Sequence, residues 1–384
     1  MPLHQNWNPP ASATDDPLHH YDTQRRRCPV AHDDTLHYSV LRHADALQLL
    51  LDHDTYSNQA SRHRSVPNSM DPPEHGQYRK LIEPYFSTER LAQFQPTCHR
   101  ISAQCIAALP SDGVADIMTA LAHPFALHMQ CAFMGWPESL HEPLRLWVQR
   151  KNAAARARDP QANALVAQEF ESLLSRVLAV FRHADPPGQD ATSRLLRETV
   201  NGAPLTESDI TSILRNWTVG ELGTMAASLG IIAHYLAAHP HWQEHLRHHP
   251  GDIRRANDEI LRIRAPLVAN RRRTTRDVVL GGAPVPADTR LTLLWASANR
   301  DEAVFGNPDE FRLDRDPALN LLYGAGIHAC PGAELARMEL ESIVQALLAA
   351  HELRPDPGLR PRYAVYPEGG FETMPLRLQR LPLP

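Results

Sequence analysis

Residues 323–337 read Tyr-Gly-Ala-Gly-Ile-His-Ala-Cys-Pro-Gly-Ala-Glu-Leu-Ala-Arg, and they carry the strongest structural signal in the chain. Gly324, Gly326 and Gly332 allow tight bends and let the backbone approach a flat ligand closely. Pro331 is predicted at the first position of a helix, where its missing N–H costs nothing. An apolar stripe at helical spacing follows, formed by Leu335, Met338, Leu340, Ile343 and Leu347. The pattern predicts a glycine-rich loop that leads into a helix.

Cys330 stands where this loop meets the helix. Backbone N–H groups and the helix dipole stabilise a thiolate at such a position, so we expect its pKa to be lowered. A thiolate at a turn of this kind is a good axial ligand for haem iron, and it pushes electron density toward bound oxygen. A lone cysteine would more often be a small core residue, but the surrounding spacing favours the ligand.

The order aromatic–Gly–x–Gly–x–His–x–Cys–x–Gly resembles the haem-thiolate loop of the cytochrome P450 family, with Tyr323 where the family usually has Phe. The resemblance implies haem b (iron protoporphyrin IX) as cofactor. It implies that Cys330 is the proximal ligand and that His328 bonds a haem propionate. Tyr323, Gly324 and Gly332 are then also cofactor-binding positions. It further implies a mainly α fold with a smaller β region, a single domain around a buried haem.

The composition of the 384-residue chain limits the other classes of function. Hydrophobic residues make up 42%, enough for a sizeable core, and the net charge of −5 does not suggest a nucleic-acid partner. No apolar run reaches the roughly 20 residues that span a bilayer, and the N-terminus does not resemble a signal peptide. The five cysteines are odd in number and form no CxxC pair, which is typical of reduced thiols. We therefore expect a soluble, cytoplasmic protein of bacterial type.

The N-terminal residues 1–34 are rich in His, Pro, Asp and Arg and predict an irregular arm on the surface, with the cytochrome P450 domain at 35–384. Residues 88–200 predict a series of amphipathic helices that form the scaffold and one wall of the pocket.

A second motif lies at residues 71–80, Asp-Pro-Pro-Glu-His-Gly-Gln-Tyr-Arg-Lys. Asp71 can cap a helix whose first turn tolerates the prolines. His75 and Arg79 are four residues apart, so they share a helical face, and two adjacent donors suit a carboxylate. A solvated basic face is the simpler interpretation. However, the pattern looks like the P450 helix whose His and Arg hold a haem propionate.

A long apolar helix is predicted from about residue 207 to 238, with Gly220 and Gly223 in its middle. Glycine weakens a helix by on the order of 1 kcal/mol against alanine, and such sites often mark a kink or a close ligand. In the family, the distal helix widens where dioxygen binds and carries a threonine preceded by an acid. Thr224 matches the threonine, and it would help to deliver protons during oxygen activation.

Gly223 stands where the family's acid is expected. The nearest carboxylate is that of Glu221, three residues before Thr224. Three explanations stay open: Glu221 replaces the acid, with or without water; protons arrive from solvent alone; or the reaction needs no such relay. A salt-bridged structural role for Glu221 is equally compatible with the sequence.

Residues near 260 and 271 complete the resemblance. Glu259 and Arg262 form a helical Glu-x-x-Arg pair, and Arg315 would join them in a structural cluster behind the thiolate. Counting from Arg262, Arg271 best resembles the third propionate ligand. Counting back from the aspartate at 277 favours the arginine at 272 instead.

The substrate pocket can be outlined only by position. Val219, Gly220, Leu267, Val268 and Phe371 fall in segments that line the pocket of P450 proteins, and Phe371 is as compatible with plain core. Their character suggests an apolar cavity, and hence a small apolar organic substrate.

The expected reaction is insertion of one oxygen atom from O2 into such a molecule. Electrons would come from a separate ferredoxin or flavodoxin and its reductase, because no flavin or iron–sulfur segment is visible. Arg79, Lys80 and Arg337 are candidate contacts for that partner. The missing acid motivates two alternatives within the family, a peroxide-driven enzyme and a P450-type nitric oxide reductase. A haem-binding sensor without turnover is the alternative from another class.

Overall fold

The computed structural model describes residues 4–5, 7, 15–33, 36–61, 64–157, 159–183, 188–366 and 368–382. Within these ranges the helices are α1 Pro17–Arg27, α2 His43–Leu51, α3 Glu74–Ile82, α4 Thr88–Ala107, α5 His123–Met134, α6 His141–Ala157, α7 Pro160–Arg182, α8 Ala191–Leu195, α9 Glu207–Gly220, α10 Ala226–Ala238, α11 Pro240–His248, α12 Ile253–Ile263, α13 Trp295–Ala298, α14 Glu302–Phe305 and α15 Ala333–Ala350. Several begin at side-chain caps, such as Ser87 before α4 and Thr206 before α9.

The strands are short and form a minor part of the molecule. They are β1 His4–Gln5, β2 Val30–Asp33, β3 His37–Val40, β4 Tyr56–Ser57, β5 Asp112–Asp116, β6 Thr199–Val200, β7 Ala203–Pro204, β8 Ala269–Thr274, β9 Val278–Leu280, β10 Ala283–Val285, β11 Arg290–Leu294, β12 His351–Pro355, β13 Arg362–Tyr363, β14 Phe371–Thr373 and β15 Pro375–Arg380. The largest sheet has the order β1-β2-β3-β11-β8-β4, and a second has the order β12-β15-β5. The predicted mainly α fold with a smaller β region is confirmed.

Two apolar clusters hold the molecule together. The larger one joins the helices, with α4 packed against α15 and α10 against α12. The smaller one lies under the largest sheet and takes in α2 and the cluster of Leu291, Leu293 and Leu294 on β11. The distal-helix and cysteine-helix regions therefore belong to the helical cluster, whereas the arginines of β8 come from the sheet.

The prediction of an irregular N-terminal arm is wrong for part of residues 1–34. Residues 17–27 form α1, capped by Asp16, and β2 pairs with β1 and β3 in the largest sheet. Buried ion pairs attach α1 to the body: Arg300 Nη2 lies 2.7 Å from Asp22 Oδ2, and Arg25 Nη1 donates to the Ser297 carbonyl at 2.9 Å. These contacts are between residues far apart in the chain, so local composition does not reveal them. The rest of the predicted arm lies partly outside the described residues.

The predicted series of helices over residues 88–200 is largely present, as α4 to α8. It is interrupted by strand β5, which pairs with β15 near the C-terminus. The predicted long helix of residues 207–238 is also present, as α9 and α10 joined without a break. The joint is a π-helical turn at Glu221–Met225, where the backbone hydrogen bonds span five residues instead of four and the helix is wider. This turn contains Gly223 and follows Gly220, as the glycines led us to expect.

Candidate active site

The cysteine loop is closed by its own backbone. Cys330 N donates to the Tyr323 carbonyl at 2.8 Å, and residues 326–328 form a 3-10 turn. Gly324 and Gly326 have φ angles of 75° and 68°, the left-handed region that favours glycine, and a Cβ at Gly326 would collide with the Leu50 carbonyl. The predicted position of Pro331 is wrong by two residues, because α15 begins at Ala333 with Gly332 as its N-cap.

The Cys330 side chain combines accessible surface with a desolvated thiol. Of the five cysteines it is the exposed one, while Cys28, Cys98, Cys105 and Cys131 are buried. Yet desolvation raises the pKa of the Cys330 thiol, against the opposing effects of the Gly332 N–H, Arg79 and Arg337. The Cys330 thiol thus keeps accessible surface although the surrounding protein desolvates it. The prediction that the helix N-terminus lowers the pKa of Cys330 is wrong. Desolvation of the thiol has a larger effect on the pKa than the Gly332 N–H, Arg79 and Arg337 together.

A cationic cluster lies on the same side as this loop. His75 and Arg79 both belong to α3, as predicted, and the rings of His75 and His328 are 4.1 Å apart between centroids. Arg79 Nη1 donates to the Ala329 carbonyl at 2.6 Å, next to the cysteine. Asp71 does not cap α3 with its side chain. Its carboxylate instead accepts from Ser57 Oγ at 2.5 Å.

Polar atoms in this cluster lack partners. Among the described residues, His75 Nε2, His328 Nε2 and Arg271 Nη1 are buried without a hydrogen bond. Burial lowers the pKa of both histidines, and for His328 the neighbours His75, Arg272 and Arg79 help to lower it to about 3. Buried donors beside cations need acceptors. The residues present therefore fit an anionic ligand such as a carboxylate.

Two adjacent arginines of β8 differ in burial and in their hydrogen-bond partners. Arg271 is half-buried and donates from Nη2 to the Tyr366 hydroxyl at 3.0 Å. Arg272 is 5% exposed, its pKa is lowered to about 10 by burial, and Asp71 only partly offsets this. In the described part of the chain no carboxylate lies within salt-bridge distance of Arg272. Since it also lowers the pKa of His328, Arg272 is close to the ring that contacts His75.

The π turn shapes the distal helix. The Thr224 hydroxyl donates to the Gly220 carbonyl at 2.6 Å, a backbone acceptor that a regular helix would use internally. A Cβ added at Gly220 or Gly223 would meet no atom within 4 Å, so this face of the helix borders open space. The absence of side chains there leaves room for a small ligand beside Thr224.

Glu221 does not contact Thr224. Its carboxyl group hydrogen-bonds instead to that of Glu339 on α15, and burial raises the pKa of Glu221 to about 7. The structural alternative of a salt bridge does not describe this contact, because its partner is another acid. Glu339 was missed in the sequence, although a signal exists: it lies four residues from both Leu335 and Ile343, on the apolar face of α15.

The predicted pocket residues are not all at one surface. Val219 is partly buried against the helical core, and Leu267 is 37% exposed. Val268 is buried in the sheet-side cluster. Phe371 is 3% exposed, with its ring 4.7 Å from His234 and 5.3 Å from Tyr363. Val219, Gly220 and Leu267 thus keep accessible surface, whereas Val268 and Phe371 are packed in the interior.

The ion cluster behind the loop forms as expected. Arg262 Nε and Nη2 bind the two oxygens of Glu259 at 2.8 and 2.9 Å, and Arg315 Nε lies 2.8 Å from Glu259. The arginines also donate to backbone carbonyls, for example Arg262 Nη1 to Asn299 at 2.9 Å. The cluster ties α12 to the segment that precedes the cysteine loop.

Comparison with known proteins shows to which family the chain belongs. The family model for cytochrome P450 matches residues 253–379. Cytochrome P450 130 of Mycobacterium tuberculosis is 30% identical over 352 residues, covering 87% of this chain and 85% of that protein. The chain belongs to the cytochrome P450 family.

Other P450 proteins are similar over much of their length. The cyclomarin C epoxidase CymV of Salinispora arenicola is 32% identical over 282 residues, covering 73% of this chain and 71% of the relative. The open structure of cytochrome P450 EryK from S. erythraea superposes with a TM-score of 0.85 at 26% identity, covering 97% and 98% of the two chains. The protein is therefore a P450 monooxygenase, and its cofactor is haem b. Among the described residues, no helix is long and apolar enough to cross a membrane.

Proposed function

We propose that this P450 inserts one oxygen atom from O2 into a small apolar organic molecule, with electrons from a separate ferredoxin or flavodoxin system. The observation that carries the site assignment is the set of buried, unpartnered nitrogens of His75 and His328 beside Arg79, next to the accessible thiol of Cys330. A flat anionic cofactor with a metal at its centre would satisfy both features. When bound, the thiolate-ligated haem supplies the redox chemistry that activates oxygen.

In this proposal Cys330 would ligate the haem iron, and the cationic cluster would hold the propionates. His75, Arg79 and His328 donate to them. Of the two arginines on β8, we assign Arg272, because it is buried, lies close to His328 and has no carboxylate of its own in the described residues. Arg271, whose guanidinium already donates to Tyr366, is the weaker candidate.

Thr224 is the proposed catalytic hydroxyl of the distal helix. Its position in the π turn, beside the open faces of Gly220 and Gly223, places a donor and acceptor next to space for a small ligand. Its bond to the Gly220 carbonyl fixes the direction of the hydroxyl group. The hydroxyl can then accept a proton from one neighbour while donating its own to another.

The apolar nature of the proposed substrate follows from the accessible residues at the site. Leu267 and Val219 offer apolar surface, and the two glycines of the distal helix present backbone only. The relative CymV is named for an epoxidation of cyclomarin C. An organic molecule as the substrate of this chain agrees with the name of that relative.

The electron donor is proposed to dock near the cysteine loop. Lys80 is exposed, whereas Arg79 and Arg337 are partly buried and already engaged, Arg337 with Asp258 at 2.9 Å. Lys80 is thus the candidate most available to an acidic carrier. Attraction between such charges speeds docking and weakens with salt.

The deciding experiment is a Soret-band titration of the ferric protein with terpenoids, fatty acids, aromatics and macrolactones. A low- to high-spin shift with one class identifies ligands that displace the water on the iron and supports the proposal. If no class shifts the band, the pocket is either closed to these compounds or serves a small inorganic ligand. Turnover with hydrogen peroxide that matches turnover with redox partners would favour the peroxide-driven alternative. Direct NADH oxidation by the nitric-oxide-bound protein would favour the reductase.

A further inference from the structure

Glu221 and Glu339 form a pair of buried acids between the distal helix and the cysteine helix. Their carboxyl groups hydrogen-bond to each other, and Glu339 is 1% exposed. Glu221 Oε1 and Glu339 Oε2 are buried, and no donor among the described residues reaches either atom. Ionised carboxylates can only accept hydrogen bonds, so this contact is favourable only when one of the two carries a proton.

We propose that Glu339 is a positioning residue for Glu221: its carboxyl group keeps a proton, donates it in a hydrogen bond to Glu221, and so holds Glu221 as the acid of the π turn. The inference deepens the proposed function and rests on it. Neither Gly223 nor any other residue between Glu221 and Thr224 has an ionisable side chain. Glu221 is therefore the acid nearest to Thr224 along the helix.

The surroundings of the pair favour the neutral form of one acid. The neighbours Leu222, Met225, Leu340 and Ile343 are buried apolar residues on the same two elements. Burial raises the pKa of Glu221 to about 7 and that of Glu339 well above its usual range. The hydrogen bond from Glu339 lowers the pKa of Glu221, because it stabilises the Glu221 carboxylate.

The other titratable groups that face the pair are thiols. Cys98 of α4 lies against α15, with Sγ 3.9 Å from the Met338 carbonyl, and both acids raise its pKa. Cys330, in the loop before α15, has its pKa raised by Glu221 as well. Ser102 and Ser342 add a hydroxyl pair 2.8 Å apart between α4 and α15. None of these groups supplies a positive charge, so a proton must neutralise one acid.

Infrared spectroscopy of the ferric holoprotein tests the retained proton without any turnover. At about pH 8.5, above the Glu221 midpoint, the wild type should show the carbonyl band of a protonated carboxyl group. Glu339→Gln should remove that band, whereas Glu341→Gln, the same change two positions along the helix, should leave it. A wild type without the band, or a band that survives Glu339→Gln, overturns the proposal.

The pH profile of product formed per electron supplied tests the positioning. Glu339→Leu removes the donor, so the Glu221 carboxylate loses its stabilisation and the midpoint should rise by about one unit or more. Glu339→Gln retains an N–H donor and should keep the midpoint close to that of the wild type. Glu221→Gln should abolish the pH-dependent change in product yield, both alone and in combination with Glu339→Leu. A Glu339→Leu variant that loses yield equally at every pH has a structural defect only, and the proposal fails.

The two measurements separate this proposal from the proposed function. All variants are first checked for the ferrous–carbonyl spectrum of a thiolate-ligated haem, which shows that they fold and bind the cofactor. If no apolar substrate is oxidised with O2, the proposed function fails, but the infrared bands still decide whether Glu339 keeps its proton. If oxidation occurs and the band is absent, the function stands and the role of Glu339 does not.

Discussion

The rings of His75 and His328 lie with their centroids 4.1 Å apart and their planes tilted by 51°, one from helix α3 and the other from the cysteine loop. Each has a buried ring nitrogen without a partner in the described residues. Burial and the neighbouring arginines keep both rings neutral, since they lower the pKa of each. In the proposed function the contact would hold both rings ready for an anionic group, and such preorganisation lowers the cost of binding.

Replacing Arg79 by Leu should weaken the hold on haem. The guanidinium links α3 to the Ala329 carbonyl, and loss of a charged hydrogen bond corresponds to on the order of a 10-fold change. The rate of haem transfer to apomyoglobin measures the effect. Lys80→Leu, at the exposed next residue, is the matched control and should leave the rate unchanged. Equal rates in the two variants would contradict the role of Arg79.

The choice between the two arginines of β8 can be tested directly. Arg272→Gln should speed haem loss by on the order of 10-fold, because it removes a buried cation beside His328. Arg271→Gln should have a much smaller effect, because its bond is to Tyr366. The same transfer assay reads both. The opposite order would return the assignment to Arg271.

Arg262→Ala should destabilise the fold strongly. Its guanidinium is 1% exposed, and the change leaves Glu259 buried with half of its partners removed. Breaking a buried pair in this way costs about 3–5 kcal/mol. Denaturant unfolding of the holoprotein measures the free energy. The control is Arg312→Ala, which breaks an exposed pair with Asp314 and should leave the free energy of unfolding nearly unchanged.

Thr224→Val should lower the yield of product per electron and raise the release of hydrogen peroxide. The variant keeps the size of the side chain but removes the hydroxyl group that is aligned by the Gly220 carbonyl. We expect a loss on the order of 100-fold, the lower end of the range for a proton-delivery group. Substrate affinity in the Soret titration should not change. Thr224→Ser, which keeps the hydroxyl group, should retain most of the yield.

The stability of the holoprotein should fall as the pH rises through about 7. The pKa of Glu221 is raised from 4.5 to about 7 in the folded state, so the folded protein binds more protons than the unfolded chain between these values. The contribution is present below about pH 4.5 and is lost as the pH rises through about 7, on the order of 2 kcal/mol in total. Unfolding of Glu221→Gln across this range should show a flatter profile. An identical slope would place the titration elsewhere.

Much of the site could be predicted because it depends on local spacing. His75 and Arg79 share a face of one helix, and Glu259 and Arg262 share another, since residues three or four apart are neighbours on any α-helix. Gly220 and Gly223 within an apolar run marked the place where the distal helix departs from regular geometry, and the family resemblance implied that it widens there. Apart from the widening, these predictions need only the helical period and the conformational freedom of glycine.

Predictions that considered one element in isolation were wrong. The helix N-terminus near Cys330 suggested a lowered thiol pKa, but desolvation by the surrounding protein is the larger effect. Residues 17–27 looked irregular, although Asp22 and Arg25 pair with each other within α1, because their further partners Arg300, Ser297 and Glu302 lie far away in the chain. Local composition cannot show that a charge will be buried against an opposite one.

The amino-acid sequence by itself determined the family and much of the order of the helices, and it singled out Cys330 as the proposed ligand, because glycine positions, helical spacing and the motif around Cys330 are properties of short segments. Only the tertiary structure decided between Arg271 and Arg272 as neighbours of His328, and only it turned Glu221 away from Thr224 toward Glu339. Both outcomes depend on which elements pack together. A side chain's burial and its partners across the core are set by that packing, and the spacing within one helix does not contain them.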